Sequence, residues 1–170
     1  MAPVSIDDYR LFMDLDGVLV DFNRGVRSIT GREASELHPR RMWPLIARTK
    51  GFYEKLDWMA DGKELWDAVR KFHPVVLTGL PMGKWAEPQK RSWCARELGP
   101  DVAVITGMSR DKADLAGRWM EENHEAGKIP VLIDDRLKIR EPWEAAGGIF
   151  ILHLTTLNSM EELRKLGFPL

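Results

Sequence analysis

The sequence predicts an α/β fold: a parallel sheet between two layers of helices, with a small helical cap inserted after the first strand. Three observations carry this. Five short aliphatic or β-branched runs alternate with helical patterns along most of the 170 residues. The runs are apolar on both faces, and several stop at Gly or Asp, as strands buried under helices on both sides do. Residues 22–59 interrupt the alternation and read as helical, rich in Arg and aromatics. They are therefore assigned to a cap, and 1–21 with 60–170 to the core.

The elements follow in order. The strand candidates are "YRLFMDLD", "HPVVLTG", "DVAVITG", "IPVLIDD" and "GIFILH". Between the first two lies "DGKELWDAVRKF", where Asp61 and Glu64 have capping-box spacing and Leu65, Trp66, Val69 and Phe72 share a face. "WAEPQKRSWCARELG" has Pro88 for its first turn and Gly99 as its stop. "DKADLAGRWMEENHEAG" and "REPWEAAGG" are further helices. "SMEELRKLG" closes the chain, with Ser159 and Glu162 as a second capping box.

Bulk properties narrow the function classes. Hydrophobic residues are 44% and charged residues 30%, an ordinary globular mixture. The net charge of -1 provides no basic field for a nucleic acid polymer. One cysteine, Cys94, rules out an intrachain disulfide and reads as buried and inert. "MAPVSIDDYR" is unlike a signal peptide, and no apolar run is long enough to span a membrane. A cytoplasmic protein with no membrane partner is expected. The four histidines make no metal-binding spacing.

The chemistry is concentrated at strand ends, where open α/β sheets bind ligands. The first strand runs into Asp14-Leu15-Asp16-Gly17, the second into Thr78-Gly79, the fourth into Asp134-Asp135. If these strands are neighbours, four carboxylates and a hydroxyl face one small volume. Such a cluster repels itself unless a cation sits in it, and oxygen ligands select a hard ion. Asp21 reads instead as a helix cap for the start of the insertion.

"DLDGV", "LTG", a lysine and "LIDDR" resemble the four motifs of the haloacid dehalogenase-like phosphatases, over Phe12 to Arg136. Within that superfamily the chain resembles the 5'(3')-deoxyribonucleotidases, through "DLDGVLVDF", "GFYEKL", "KRSWCARELGPD" and "SRDKADL". The resemblance implies a Rossmann-like core and Mg2+ as cofactor. It implies Asp14 as the nucleophile that forms an aspartyl-phosphate. Asp16 would be the acid/base, with its backbone carbonyl on the metal. Thr78, Gly79 and Lys112 would bind phosphate, Asp14 and Asp135 would bind the metal, and Asp134 would support it from behind. Lys84 and Lys90 also follow the second strand, where solvent exposure is the ordinary fate of a lysine. Lys112 is preferred because it follows the third strand in "SRDK", the place the resemblance implies for the motif lysine. The acid two residues after the nucleophile separates phosphatases from dehalogenases and argues for hydrolysis of phosphate.

Two departures stand out. Gly79 occupies the place of a serine in that family, keeping a backbone N–H and losing a hydroxyl. "AGRWMEENHEAGKIP" lengthens the gap from Lys112 to Asp134 and reads as an extra helix.

The insertion would cover the site and choose the leaving group. Phe22, Trp43 and Phe52 are candidates for a base pocket, with Tyr53 beside them. Arg40, Arg41 and Arg48 read as solvated. The partner expected is a small phosphorylated metabolite, first a nucleoside monophosphate. The alternatives are another phosphometabolite, such as a sugar phosphate, or a phosphate-binding module without turnover.

Overall fold

The computed structural model describes residues 4–170, so the first three residues of the polar start lie outside it. Five strands form one all-parallel sheet in the order β3-β2-β1-β4-β5: β1 Tyr9–Met13, β2 Val75–Gly79, β3 Val104–Gly107, β4 Ile129–Asp134 and β5 Ile149–Leu152. The chain runs outward from β1 to β3, then returns to the other side of β1 for β4. That reversal leaves a crevice beyond the carboxyl ends of β1 and β4.

The helices are α1 Phe22–Thr30, α2 Pro39–Arg48, α3 Gly62–Val69, α4 Ala86–Glu97, α5 Lys112–Glu122, α6 Arg140–Ala145 and α7 Thr156–Lys165. The two-residue period of a strand sorts its side chains between two helical layers. Leu11, Met13, Val76, Val131, Ile133 and Ile151 pack with α3, α4, α7 and the insertion. Phe12, Val75, Leu77, Ile105, Leu132 and Phe150 pack with α5 and α6. Val26, Met42, Ile46, Phe52 and Leu56 of the insertion join the first of these clusters, so residues 22–59 share the core of the sheet. No helix among the described residues is long and apolar enough to cross a membrane.

Several local expectations change. Asp61 precedes α3 without capping it; its carboxylate accepts from Thr156 N at 2.7 Å and so ties α3 to α7. Thr155, not Ser159, caps α7. Ser159 is buried inside that helix, its Oγ 2.7 Å from His153 Nδ1. The long gap before β4 holds no extra helix, because α5 itself starts at Lys112 and fills it. Asp21 does cap α1, accepting from Arg24 N at 2.9 Å. Cys94 is buried, which pushes its thiol up to about 12.

Candidate active site

The strand period carries the site chemistry as well as the core. Asp14 follows Phe12 and Asp134 follows Leu132, so both carboxylates fall on the side of α5. There the first residue of α5, Lys112, is buried between them. Its Nζ lies 3.0 Å from Asp14 Oδ1 and 2.6 Å from Asp134 Oδ2. Burial alone would lower the pKa of Lys112, but the two carboxylates outweigh it and hold the ammonium above its ordinary value. The second oxygen of Asp134 accepts from Arg136 N at 2.9 Å. Both its oxygens are thus engaged, which suits a supporting role behind the cavity.

Thr78 follows Val76 and so falls on the opposite side, under α4. A second buried lysine meets it there. Lys90 Nζ donates to Thr78 Oγ1 at 3.0 Å, to Gly79 O at 2.7 Å and to Asp16 Oδ2 at 2.8 Å. It also lies 4.5 Å from the centroid of the Tyr53 ring. All three ammonium donors have acceptors, as a buried lysine requires. The expectation of an exposed Lys90 is therefore corrected. Ala86, Lys90, Trp93 and Cys94 form the buried stripe of α4, but with a lysine in the stripe and polar residues around it the helix shows almost no apolar periodicity.

Asp16 is held by one oxygen only. Oδ1 is buried without a hydrogen-bond partner. Withdrawal from solvent raises the pKa of Asp16; Lys90 opposes the rise and the charge on Asp14 adds to it. A carboxyl whose protonated form is favoured beyond the ordinary, with one oxygen unengaged, suits a proton donor.

Gly17 turns the chain at φ +79°, and Asp135 closes against it: a Cβ on Gly17 would stand 2.1 Å from Asp135 Oδ2. Asp135 is exposed as a residue, but partial withdrawal of its carboxyl from water at the cavity wall, then the charges on Asp14 and Asp134, push it up to about 7. Asp14, Asp134 and Asp135 each bring one carboxylate oxygen to within 4.8 Å of the others. Only the Asp14–Asp134 pair has a buried lysine between it, so negative charge at Asp135 is left for a cation to offset. The donor set, all oxygen, suits a hard divalent ion.

Asp14, Asp16 and Asp135 open onto a cavity of about 590 Å³. Gly79, Ser109, Arg136 and His153 complete its polar end, Leu80 lies beside them, and Phe22, Trp43 and Tyr53 line it from the insertion. Thr78, Lys112 and Asp134 stand one contact behind the wall. Phe52 does not reach the cavity. It is buried against Gly25 of α1, edge-on to Phe22 with centroids 5.8 Å apart. Tyr53 takes the place expected for it. Phe22 stacks on Tyr53 at 6.1 Å and Tyr53 on Trp85 at 5.6 Å, so the aromatic wall is one packed array. Arg40, Arg41 and Arg48 are exposed.

No protein-family model matches the chain, and no curated protein matches it in sequence. Among solved structures it is similar to the crystal structure of a HAD family hydrolase from Deinococcus radiodurans R1 with bound phosphate and sodium. The identity is 16% and the TM-score 0.49, over 83% of this chain and 78% of that one.

Proposed function

We propose that this protein is a Mg2+-dependent phosphatase that hydrolyses a small phosphomonoester, first a nucleoside monophosphate, through an aspartyl-phosphate at Asp14. The observation that carries this reading is a pair of unlike carboxyls facing one cavity. Each is ion-paired with a buried lysine, but Asp14 shares Lys112 with Asp134, whereas Asp16, paired with Lys90, has a raised pKa and one unengaged oxygen. Environments that separate two carboxyls in this way assign their roles.

In the first step an oxygen of Asp14 attacks phosphorus, and the ester oxygen leaves with the proton of Asp16. In the second, the Asp16 carboxylate takes a proton from water as the water oxygen attacks the same phosphorus. Phosphate departs and Asp14 is regenerated. Lys112 fixes the nucleophile from behind, and Lys90 fixes Asp16. Asp14, Asp135 and the Asp16 backbone carbonyl would hold Mg2+. When bound, the ion would supply positive charge that offsets the repulsion between carboxylate and phosphate. Residues 22–59 would act as a cap that limits water and presents Phe22, Trp43 and Tyr53 to a flat ring. A cavity of about 590 Å³ is large enough for a nucleotide.

The direct test is phosphate release with Mg2+ from deoxyribonucleotides, ribonucleotides and sugar phosphates. Release led by nucleotides is expected. A ranking led by sugar phosphates would move the substrate class, and no release from any would reject the enzyme.

Two predictions belong to this reading. Lys90→Met should lower turnover of alkyl phosphates by about 10²-fold while p-nitrophenyl phosphate, whose leaving group needs little protonation, falls much less. Equal losses on both would detach Lys90 from proton transfer. In thermal unfolding, Mg2+ should raise Tm more at about pH 8 than at about pH 5, because protons hold Asp135 at the lower pH. Asp135→Asn should abolish that shift and raise the metal-free Tm at about pH 8, since it removes a repelling charge. An undiminished Mg2+ shift in that variant would place the cation elsewhere.

A further inference from the structure

The loop after β3 brings Ser109 against the end of β2. A Cβ built on Gly79 would lie 2.1 Å from Ser109 Oγ, but 3.4 Å from its Cβ and 3.7 Å from its Cα. Only the hydroxyl therefore enters the space that a side chain at 79 would fill. The glycine is what admits it. Both residues line the carboxylate cavity.

The hydroxyl is also aimed. Arg136 Nη1 donates to Ser109 Oγ at 2.9 Å. A serine hydroxyl has one proton and two lone pairs. Arg136 takes a lone pair, and among the described residues the hydroxyl makes no other hydrogen bond, so its proton has no acceptor there. Ser109 does not cap the turn it begins: Met108 is the cap residue of Ser109–Asp111, and no side chain caps that turn. The same turn leads directly into α5 and Lys112, which fixes where Ser109 stands.

We propose that Ser109 is a phosphate-binding residue, its hydroxyl donating to a substrate phosphate oxygen from the side-chain space that Gly79 leaves open. Arg136 orients the hydroxyl and, as a cationic donor to it, strengthens it as a donor in turn. The proposal rests on the phosphatase reading above. It makes the second and third strands joint owners of the anion site.

The test is calorimetric titration of inorganic phosphate into the protein with Mg2+, which needs no turnover. Ser109→Ala should bind phosphate about 10-fold or more weakly, with Tm unchanged. A Cβ at 79 fits once the Ser109 hydroxyl is gone, so adding Gly79→Ser to Ser109→Ala should return affinity to within about 3-fold of wild type. If Ser109→Ala proves unfolded, Ser109→Cys keeps the shape with a weak donor and reads the same loss. Wild-type affinity in Ser109→Ala would overturn the assignment alone. Failure of the wild-type protein to bind phosphate would overturn the phosphatase reading and this assignment with it.

Discussion

Asp14→Asn should lose phosphate release by about 10⁴-fold or more while remaining folded. An amide cannot attack phosphorus to give an acyl phosphate that water then resolves. The fold should survive because the amide oxygen still accepts from Lys112, 3.0 Å away in the parent protein. Removal of the charge also relieves Asp135 and Asp16, whose pKa values Asp14 raises. The variant should therefore match or exceed the parent in metal-free Tm. Activity and Tm measured on one preparation separate the two effects. Turnover near the parent level would exclude Asp14 as nucleophile.

The largest stability effect should come from Lys112→Met. Lys112 lies between two buried carboxylates, with side-chain exposures of 2% for the lysine and 6% and 0% for Asp14 and Asp134. Breaking a buried pair by removing one partner costs about 3–5 kcal/mol. The sign of its pH dependence follows from Asp134, whose pKa burial and Asp14 already raise to about 6 against the opposing pull of Lys112. Without the lysine it rises further. The folded carboxyl then keeps a proton that the unfolded chain releases, so the penalty is full above the folded pKa and shrinks on acidification. Urea unfolding should show a wide gap between variant and parent at about pH 8 that narrows at about pH 5. Asp134→Asn added to Lys112→Met should restore much of the loss. A gap independent of pH would reduce the role of Lys112 to packing.

The frame of the molecule was legible because two periods are strict. Aliphatic runs two helical layers deep mark buried parallel strands, and all five appear within a few residues of the expected bounds. The acids at their ends were legible for the same reason: a carboxylate that follows a buried strand has few inexpensive explanations. The alternation also decides which helix each polar residue meets, and this was readable in principle. Asp14 and Asp134 fall toward α5, Thr78 toward α4, so each layer supplies one buried lysine.

Lys90 escaped because composition hides it. α4 is polar around most of its surface, and a lysine is buried only where it finds acceptors from other elements, here Asp16, Thr78 and Gly79. Tertiary contacts of this kind leave no mark on local sequence. Phe52 and Tyr53 show a related limit. Adjacent aromatics at the start of a short 3-10 turn point in different directions, and which one meets the cavity depends on Gly25, where the absent side chain makes room for Phe52 and Leu56. The cap of α7 failed for a local reason: Thr155 lies four residues before the better-patterned Ser159, whose hydroxyl His153 engages.

The central claim is that Asp14 carries the phosphoryl group. It is tested most directly by acid-quenching the protein during turnover with Mg2+ and a nucleoside monophosphate, then weighing its peptides. The account predicts a hydroxylamine-labile phosphate on the peptide that contains Asp14, absent from Asp14→Asn. Phosphate release with no labelled peptide, or a label on any other residue, would contradict it.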